Sequence, residues 1–200
     1  MLISHRYRFI YTKTTKTAGT SVESFFEEFC MPDGEWTESH RRDEYVSPAG
    51  VVGYRGNNPK GKKWWNHMPA ASIKELVGKA IWDSYFKFCV VRDPFDKCIS
   101  AFCHLGKGHS VNEHLILNGS HNKYMTKEQL RFLDYVKCKA PIDRNKYIID
   151  GEFCMDDVIR YEQHETDVKR ISQLLGLPHD NKQIPRFKTG IRSEGATIES

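Results

Sequence analysis

Lys16 stands in a run of small and hydroxylated residues, Thr14-Thr15-Lys16-Thr17-Ala18-Gly19-Thr20-Ser21. A short apolar stretch of β type precedes the run, and a helical pattern, Val22 to Phe29, follows it. Small residues let backbone N–H groups approach an anion, a helix N-terminus adds partial positive charge, and the lysine supplies a full one. The run therefore reads as a strand–loop–helix cradle for a phosphate-like group. Plain helix capping is the competing reading, but a cap needs one Ser or Thr, and five are grouped here around the lysine. The lysine precedes the loop's glycine, so the order G-x-x-x-x-G-K-[ST] is not met. That argues for an anion site and against an ordinary nucleoside triphosphatase.

A second basic position follows the strongest strand signal. Tyr85 to Val91 is nearly continuous in apolar residues, as a buried parallel strand should be. Arg92 leaves its carboxyl end, where ligands collect in open α/β sheets. Pro94 then opens a helix with Asp93 as its N-cap, and Ser100 lies two turns in. The guanidinium fork suits a phosphate, and Ser100 adds a hydroxyl. Pairing of Arg92 with Asp93 or Asp96, with Ser100 at the surface, accounts for the same residues equally well.

The elements that must position these groups alternate along the chain. A first strand over about Tyr7 to Thr12 leads into the Lys16 loop and a helix reaching about Cys30. Met31 to Lys63 has no clear period and reads as a long excursion with a short strand at Val51 to Tyr54. Ser72 caps a short helix, Ile73 to Val77, which Gly78 ends. Gly106 to Ser120 reads as a surface loop, and Thr126 to Cys138 as a helix opened by the capping-box spacing Thr126…Gln129. Asp157 to Glu162 is a further strand. His164 to Leu175 is a helix with Val168, Ile171, Leu174 and Leu175 on one face, ended by Gly176. The tail from Leu177 is polar and irregular. Strands separated by helices predict an α/β layer sandwich around a mostly parallel sheet.

Two hundred residues suit one domain, 1–200, with a sizeable core. Charged residues at 28% and aromatics at 12% describe a folded, soluble chain. A net charge of +4 and a pI near 8.7 fit an anionic ligand but are too mild to demand nucleic acid. The basic run Lys60 to Lys63 and the pair Arg41-Arg42 read as solvated loop charges. The six cysteines form no C-x-x-C pair and none stands beside histidines at zinc-finger spacing, so reduced thiols of a cytoplasmic protein are expected. Met1 to Arg6 lacks a signal-peptide core, and no run approaches membrane-spanning length.

Taken in order, Lys16-Thr17-Ala18-Gly19-Thr20-Ser21 after a first strand and Val91-Arg92-Asp93-Pro94-Phe95-Asp96-Lys97-Cys98-Ile99-Ser100 resemble the sulfotransferases. These enzymes use 3′-phosphoadenosine-5′-phosphosulfate (PAPS) and release 3′-phosphoadenosine-5′-phosphate (PAP). Asn66-His67-Met68-Pro69-Ala70 before a helix resembles the segment carrying the catalytic histidine of the carbohydrate type, the group of heparan 2-O- and chondroitin sulfotransferases. Asp157 to Glu162, with the helix ending Leu175-Gly176-Leu177-Pro178, resembles that group's late strand–helix unit. The resemblance implies a three-layer, P-loop-like fold. It implies that amides of Thr17, Ala18, Gly19, Thr20 and Ser21, with the Thr20 and Ser21 hydroxyls, hold the 5′-phosphosulfate. Lys16 would stabilise charge on the departing phosphate, and Arg92 and Ser100 would bind the 3′-phosphate. Lys188 and Arg192 sit where the family often brings basic residues back over the donor.

The implied chemistry needs these parts. Fixed donors act where charge develops in the transition state, each worth about 3–4 kcal/mol in comparable oxyanion sites. The acceptor hydroxyl must lose a proton, and His67 is the candidate base. Capping of the next helix, or packing beside Trp64 and Trp65, is the competing reading of His67. His104, His109, His114 and His121 read as exposed, and Trp64 and Trp65 as core or a sugar-stacking surface. No metal is required. Ala18 stands where many relatives carry a second glycine, and the membrane anchor usual in animal carbohydrate sulfotransferases is absent from this sequence. The acceptor is therefore read as a hydroxyl of a sugar or small molecule, with no nucleic acid or membrane partner. Two other readings compete: a P-loop kinase or nucleotide hydrolase, and a noncatalytic module binding anionic polymers through Lys60 to Lys63.

Overall fold

The computed structural model describes residues 1–105, 125–140, 142–178 and 182–187. It forms two compact units, one of Met1–Arg92 with Asp143–Phe187, the other containing Asp93–Ile142.

The first unit is built on a six-stranded mixed sheet, ordered β3-β4-β1-β2-β5-β8. Its strands are β1 (Leu2–Ser4), β2 (Phe9–Thr12), β3 (Tyr45–Ser47), β4 (Gly50–Val52), β5 (Phe86–Val91) and β8 (Asp157–Arg160). The half carrying the candidate site is parallel: Phe9 to Thr12 pair with Phe86 to Cys89, and Phe88 to Val91 with Asp157 to Arg160. The other half is antiparallel. Helices α1 (Gly19–Glu27), α2 (Ala70–Val77), α3 (Lys79–Ser84) and α6 (His164–Leu174) flank the sheet.

Side-chain alternation along the strands sorts these helices into layers. Phe9, Tyr11, Phe88 and Val90 face Val22, Phe25 and Phe26 of α1 and Val168 and Ile171 of α6. Ile10 and Cys89 face the opposite way, against Ala70 and Ile73 of α2 and Trp82 of α3. The expected three-layer α/β sandwich is present, with β2 and β5 buried on both faces as central parallel strands should be.

Several boundaries differ for local reasons. β2 starts at Phe9 rather than Tyr7 because Arg8 turns the chain with φ 53°. β1 was not expected, and it is a strand because both its edges are paired. α1 begins at Gly19, earlier than its apolar pattern, and continues as a 3-10 turn over Glu28–Cys30. α2 starts at Ala70, with Pro69 and not Ser72 at its N-cap, and ends at Gly78 as expected. The late strand stops at Arg160 and passes into a 3-10 turn, Tyr161–Gln163. A small hairpin, β6 (Ile148–Ile149) and β7 (Glu152–Phe153), turns at Asp150-Gly151, both with positive φ. An Asp-Gly pair favours that turn.

The aperiodic Met31 to Lys63 excursion is held largely by charge. Arg55, only 4% exposed, reaches Glu23 at 3.0 Å and Glu27 at 2.8 Å on α1, and Arg42 also pairs with Glu27. These carboxylates face inward beside the apolar stripe, so burying α1 on a second side depends on the arginines that neutralise it.

The second unit holds α4 (Pro94–Leu105) and α5 (Lys127–Lys139), packed through Ala101, Phe102, Phe132 and Tyr135. Asp93 Oδ1 accepts from the amides of Phe95 and Asp96, confirming the cap on α4. Thr126 and Gln129 form the expected reciprocal capping box on α5. The expected Gly106 to Ser120 loop lies outside the described residues.

Candidate active site

Because β2, β5 and β8 run parallel, their carboxyl ends share one edge of the sheet. The Lys16 loop, Arg92 and Tyr161 follow those three strands in turn.

The loop is pinned from below and from one side. Thr14 Oγ1 donates to the Val90 carbonyl of β5 at 2.6 Å. Thr17 Oγ1 lies 2.8 Å from Thr14 Oγ1 and 3.3 Å from the Thr14 carbonyl, so its proton is also used within the loop. The Asp143 carboxylate, 4% exposed, accepts from the Thr15 amide at 2.8 Å and the Thr15 hydroxyl at 3.0 Å.

These ties hold two non-glycine residues in the left-handed region, Lys16 at φ 60° and Ala18 at φ 51°. Such alternate residues turn successive amides toward a common concave side. Ala18 is the N-cap of α1, and no side chain caps the helix. Among the described residues no acceptor meets the amides of Thr17, Ala18, Gly19 or Thr20. The simple capping explanation of the threonines thus fails, and a row of donors at a helix N-terminus is left for an anion.

Arg92 is joined to this loop. Its Nη1 donates to the Lys16 carbonyl at 2.7 Å, and its guanidinium lies 3.9 Å from the centre of the Tyr161 ring. Tyr161 in turn stacks on His164, with ring planes 22° apart.

His67 reaches the same loop from the other side of the chain. Its backbone is left-handed at φ 57°, and its Nδ1 is 3.2 Å from the Lys13 carbonyl. A carbonyl can only accept, so Nδ1 carries the hydrogen and Nε2 the lone pair. Burial lowers the imidazole pKa, the positive charges of Lys13 and the Met1 amino group lower it further, and it falls to about 4. The ring is therefore neutral at physiological pH, the form a proton acceptor needs. Pro69, not His67, caps α2, and Trp64 is buried in the core.

Lys13, absent from the sequence-based site, is 2% exposed, with its Nζ 2.6 Å from Glu23 Oε2 and 3.2 Å from Thr20 Oγ1. Burial would raise the Glu23 carboxyl pKa, but Lys13, the Met1 amino group and Arg55 outweigh it and hold the group well below the usual range. Gly19 accommodates this lysine: a Cβ there would meet Lys13 Cγ at 3.1 Å and the Thr14 carbonyl at 3.3 Å.

The structure thus brings Lys16, Thr17, Ala18, Gly19, Thr20, Arg92 and His67 to one loop. Ser21 Oγ accepts from the Phe187 amide at 3.3 Å, which leaves its proton for another partner. Ser100 lies on α4 of the second unit, and Lys188 and Arg192 lie outside the described residues, as do His109, His114 and His121. Asp143 and Tyr161 were missed because their roles depend on contacts across the fold. Lys13 carried one legible signal, a second lysine at the strand's end.

Among the described residues no group of three or more His, Cys, Asp or Glu side chains is placed to hold a metal, and no helix is long and apolar enough to cross a membrane. A relative in Archaeoglobus fulgidus, an uncharacterized protein, is 28% identical over 113 residues, covering 56% of this chain and 86% of the archaeal one. No solved structure matches. The sulfotransferase family model matches residues 1–199. With nearly the whole chain spanned, this protein belongs to the sulfotransferase family, enzymes that move a sulfuryl group to a hydroxyl-bearing acceptor.

Proposed function

We propose that this enzyme transfers the sulfuryl group of PAPS in line to a hydroxyl of a sugar or small-molecule acceptor, in the manner of carbohydrate sulfotransferases. The supporting observation is the row of unaccepted amides from Thr17 to Thr20 beside Lys16, tied through the Lys16 carbonyl to Arg92. PAPS supplies an activated S–O bond whose cleavage leaves charge on the 5′-phosphate of PAP. The amides of Thr17 to Thr20 and the Thr20 and Ser21 hydroxyls hold the 5′ group, the Ser21 amide being taken by the Ala18 carbonyl at 2.9 Å, and Lys16 meets the charge that develops there. Arg92 holds the 3′-phosphate, a role that the family resemblance also gives to Ser100. The family resemblance also assigns Lys188 and Arg192 to the donor, and residues 1–200 act as a single sulfotransferase domain.

His67 Nε2 takes the acceptor's proton as the new S–O bond forms. Its hydrogen bond to Lys13 fixes the tautomer with that lone pair available. The polymer-binding alternative is not favoured, because Lys62 pairs with Asp43 at 2.6 Å and Lys63 lies over Trp64.

Calorimetry with PAPS and PAP, without and with Mg²⁺, tests the reading. Metal-independent binding of both is expected. Failure to bind either, or Mg²⁺-dependent binding of ATP in their place, overturns it.

A further inference from the structure

The ion-pair cluster beneath α1 contains a lysine that charge balance alone does not require. Glu23 already meets Arg55 at 3.0 Å and the Met1 amino group at 2.5 Å. Adding a third cation to this buried carboxylate costs desolvation of the ammonium, so its position asks for another reason.

The contact to Thr20 supplies one. An ammonium can only donate, so the Thr20 oxygen, 3.2 Å from Lys13 Nζ, receives its hydrogen bond. The Thr20 proton must then point elsewhere, and among the described residues nothing accepts it. Its neighbours differ: Thr14 gives its proton to Val90 and Thr17 gives its own to Thr14. Thr20 is also the second residue of α1, beside the unaccepted amides.

We infer that Lys13, held by Glu23, is a positioning residue that commits the Thr20 hydroxyl to donate toward the anion at the N-terminus of α1. This rests on the PAPS reading of that loop. Glu23 grips the ammonium at 2.6 Å and Gly19 leaves room for its stem, so the lysine has one place to be. Lys13 itself need not touch the donor.

The test is a double-mutant cycle read by calorimetric PAP affinity. Thr20→Ala is expected to weaken binding about 10- to 100-fold, the range for one hydrogen bond to a charged group, and Thr20→Ser to recover most of it. Lys13→Met should weaken binding in the Thr20 protein and add little in the Thr20→Ala background. A lysine serving only the fold, or acting as a direct charge, would cost the same factor in both backgrounds, and that result overturns the inference. So does a Thr20→Ala protein that binds PAP as tightly as wild type, a result that needs no change at Lys13. Should Lys13→Met fail to fold by circular dichroism, Glu23→Gln releases the ammonium while keeping the side chain's shape, and the same non-additivity is expected. Wild-type protein that does not bind PAP removes the donor reading and this inference together. Additive losses in a wild type that binds PAP remove the inference alone.

Discussion

Arg92 Nη1 donates to the carbonyl of Lys16 at 2.7 Å, across a separation of 76 residues in the chain. The bond joins the end of β5 to the loop after β2 and faces Lys16 in a left-handed conformation. A backbone position of that kind persists when its surroundings hold it. Arg92 thus shapes the loop with one N–H while its guanidinium lies over the Tyr161 ring. Arg92→Ala should weaken PAP binding about 10- to 100-fold, the scale of a lost charge-assisted hydrogen bond. The loss should be larger for PAP than for adenosine 5′-phosphosulfate, which has no 3′-phosphate. Equal losses would mean that Arg92 only props the loop.

Asp143 supports the same loop from the opposite side through the Thr15 amide and hydroxyl. Asp143→Ala leaves a partly buried amide without its acceptor, at a cost of about 1–3 kcal/mol. Asp143→Asn keeps one oxygen and should lose less. Urea denaturation gives the stability order, wild type above Asn above Ala, and PAP affinity should follow it. A stable Asp143→Ala protein with unchanged PAP affinity would show that the loop holds its shape without this clamp.

How much of this was readable beforehand depended on how local the cause was. Tyr85 to Val91 announced a buried strand, observed over Phe86–Val91, and Asp93 and Thr126 announced helix starts, since each signal lies within a few residues. β1 is three residues long, too short for a period, and exists through its pairing on both sides. Arg42, read with Arg41 as a solvated loop charge, is set by the fold against Glu27, and nothing near Arg55 announces its pairs with Glu23 and Glu27. Asp143 and Thr15 are 128 residues apart, and nothing near either one announces the other. Lys16, Arg92 and His67 are candidates because the order of short motifs is itself a pattern, and the fold brings the three to one loop. Lys13 belonged to the same loop and was passed over, since its role depends on Glu23 a turn into α1.

His67 makes a prediction about pH in both activity and stability. As the base it must be neutral, so kcat/KM should fall as pH drops through about 4, its value in the free protein. His67→Ala should cut turnover about 100- to 10,000-fold at saturating acceptor. Its folded-state pKa lies below the unfolded value of about 6.5, so the unfolded chain binds the extra proton between those limits. Stability is therefore lost as pH falls from about 6.5 to about 4, by up to about 3 kcal/mol for this group. Urea denaturation of wild type and His67→Gln at pH 7 and pH 4.5 isolates that share. The two proteins should lose different amounts on acidification, with wild type losing more.

Gly19→Ala sets two effects of opposite sign against each other. Alanine in a helix is favoured over glycine by about 1 kcal/mol, and Gly19 has no left-handed φ to protect. Against that, the new Cβ would stand 3.1 Å and 3.2 Å from Lys13 Cγ and Cε and 3.3 Å from the Thr14 carbonyl. An exposed lysine stem would swing aside, but this one is buried and its head is held by Glu23. The Thr14 carbonyl is equally confined, because the Thr14 hydroxyl is bonded to β5. Overpacking of this kind costs about 1–3 kcal/mol, so the clash should win. Gly19→Ala is expected to lower the urea midpoint and weaken PAP binding, since the displaced lysine also loses Thr20. Relief should come from shortening the obstacle: Gly19→Ala combined with Lys13→Met should recover part of the lost stability but not the PAP affinity. A Gly19→Ala protein more stable than wild type would mean that the Lys13 stem yields, and that Lys13 and Glu23 do not hold it in one place.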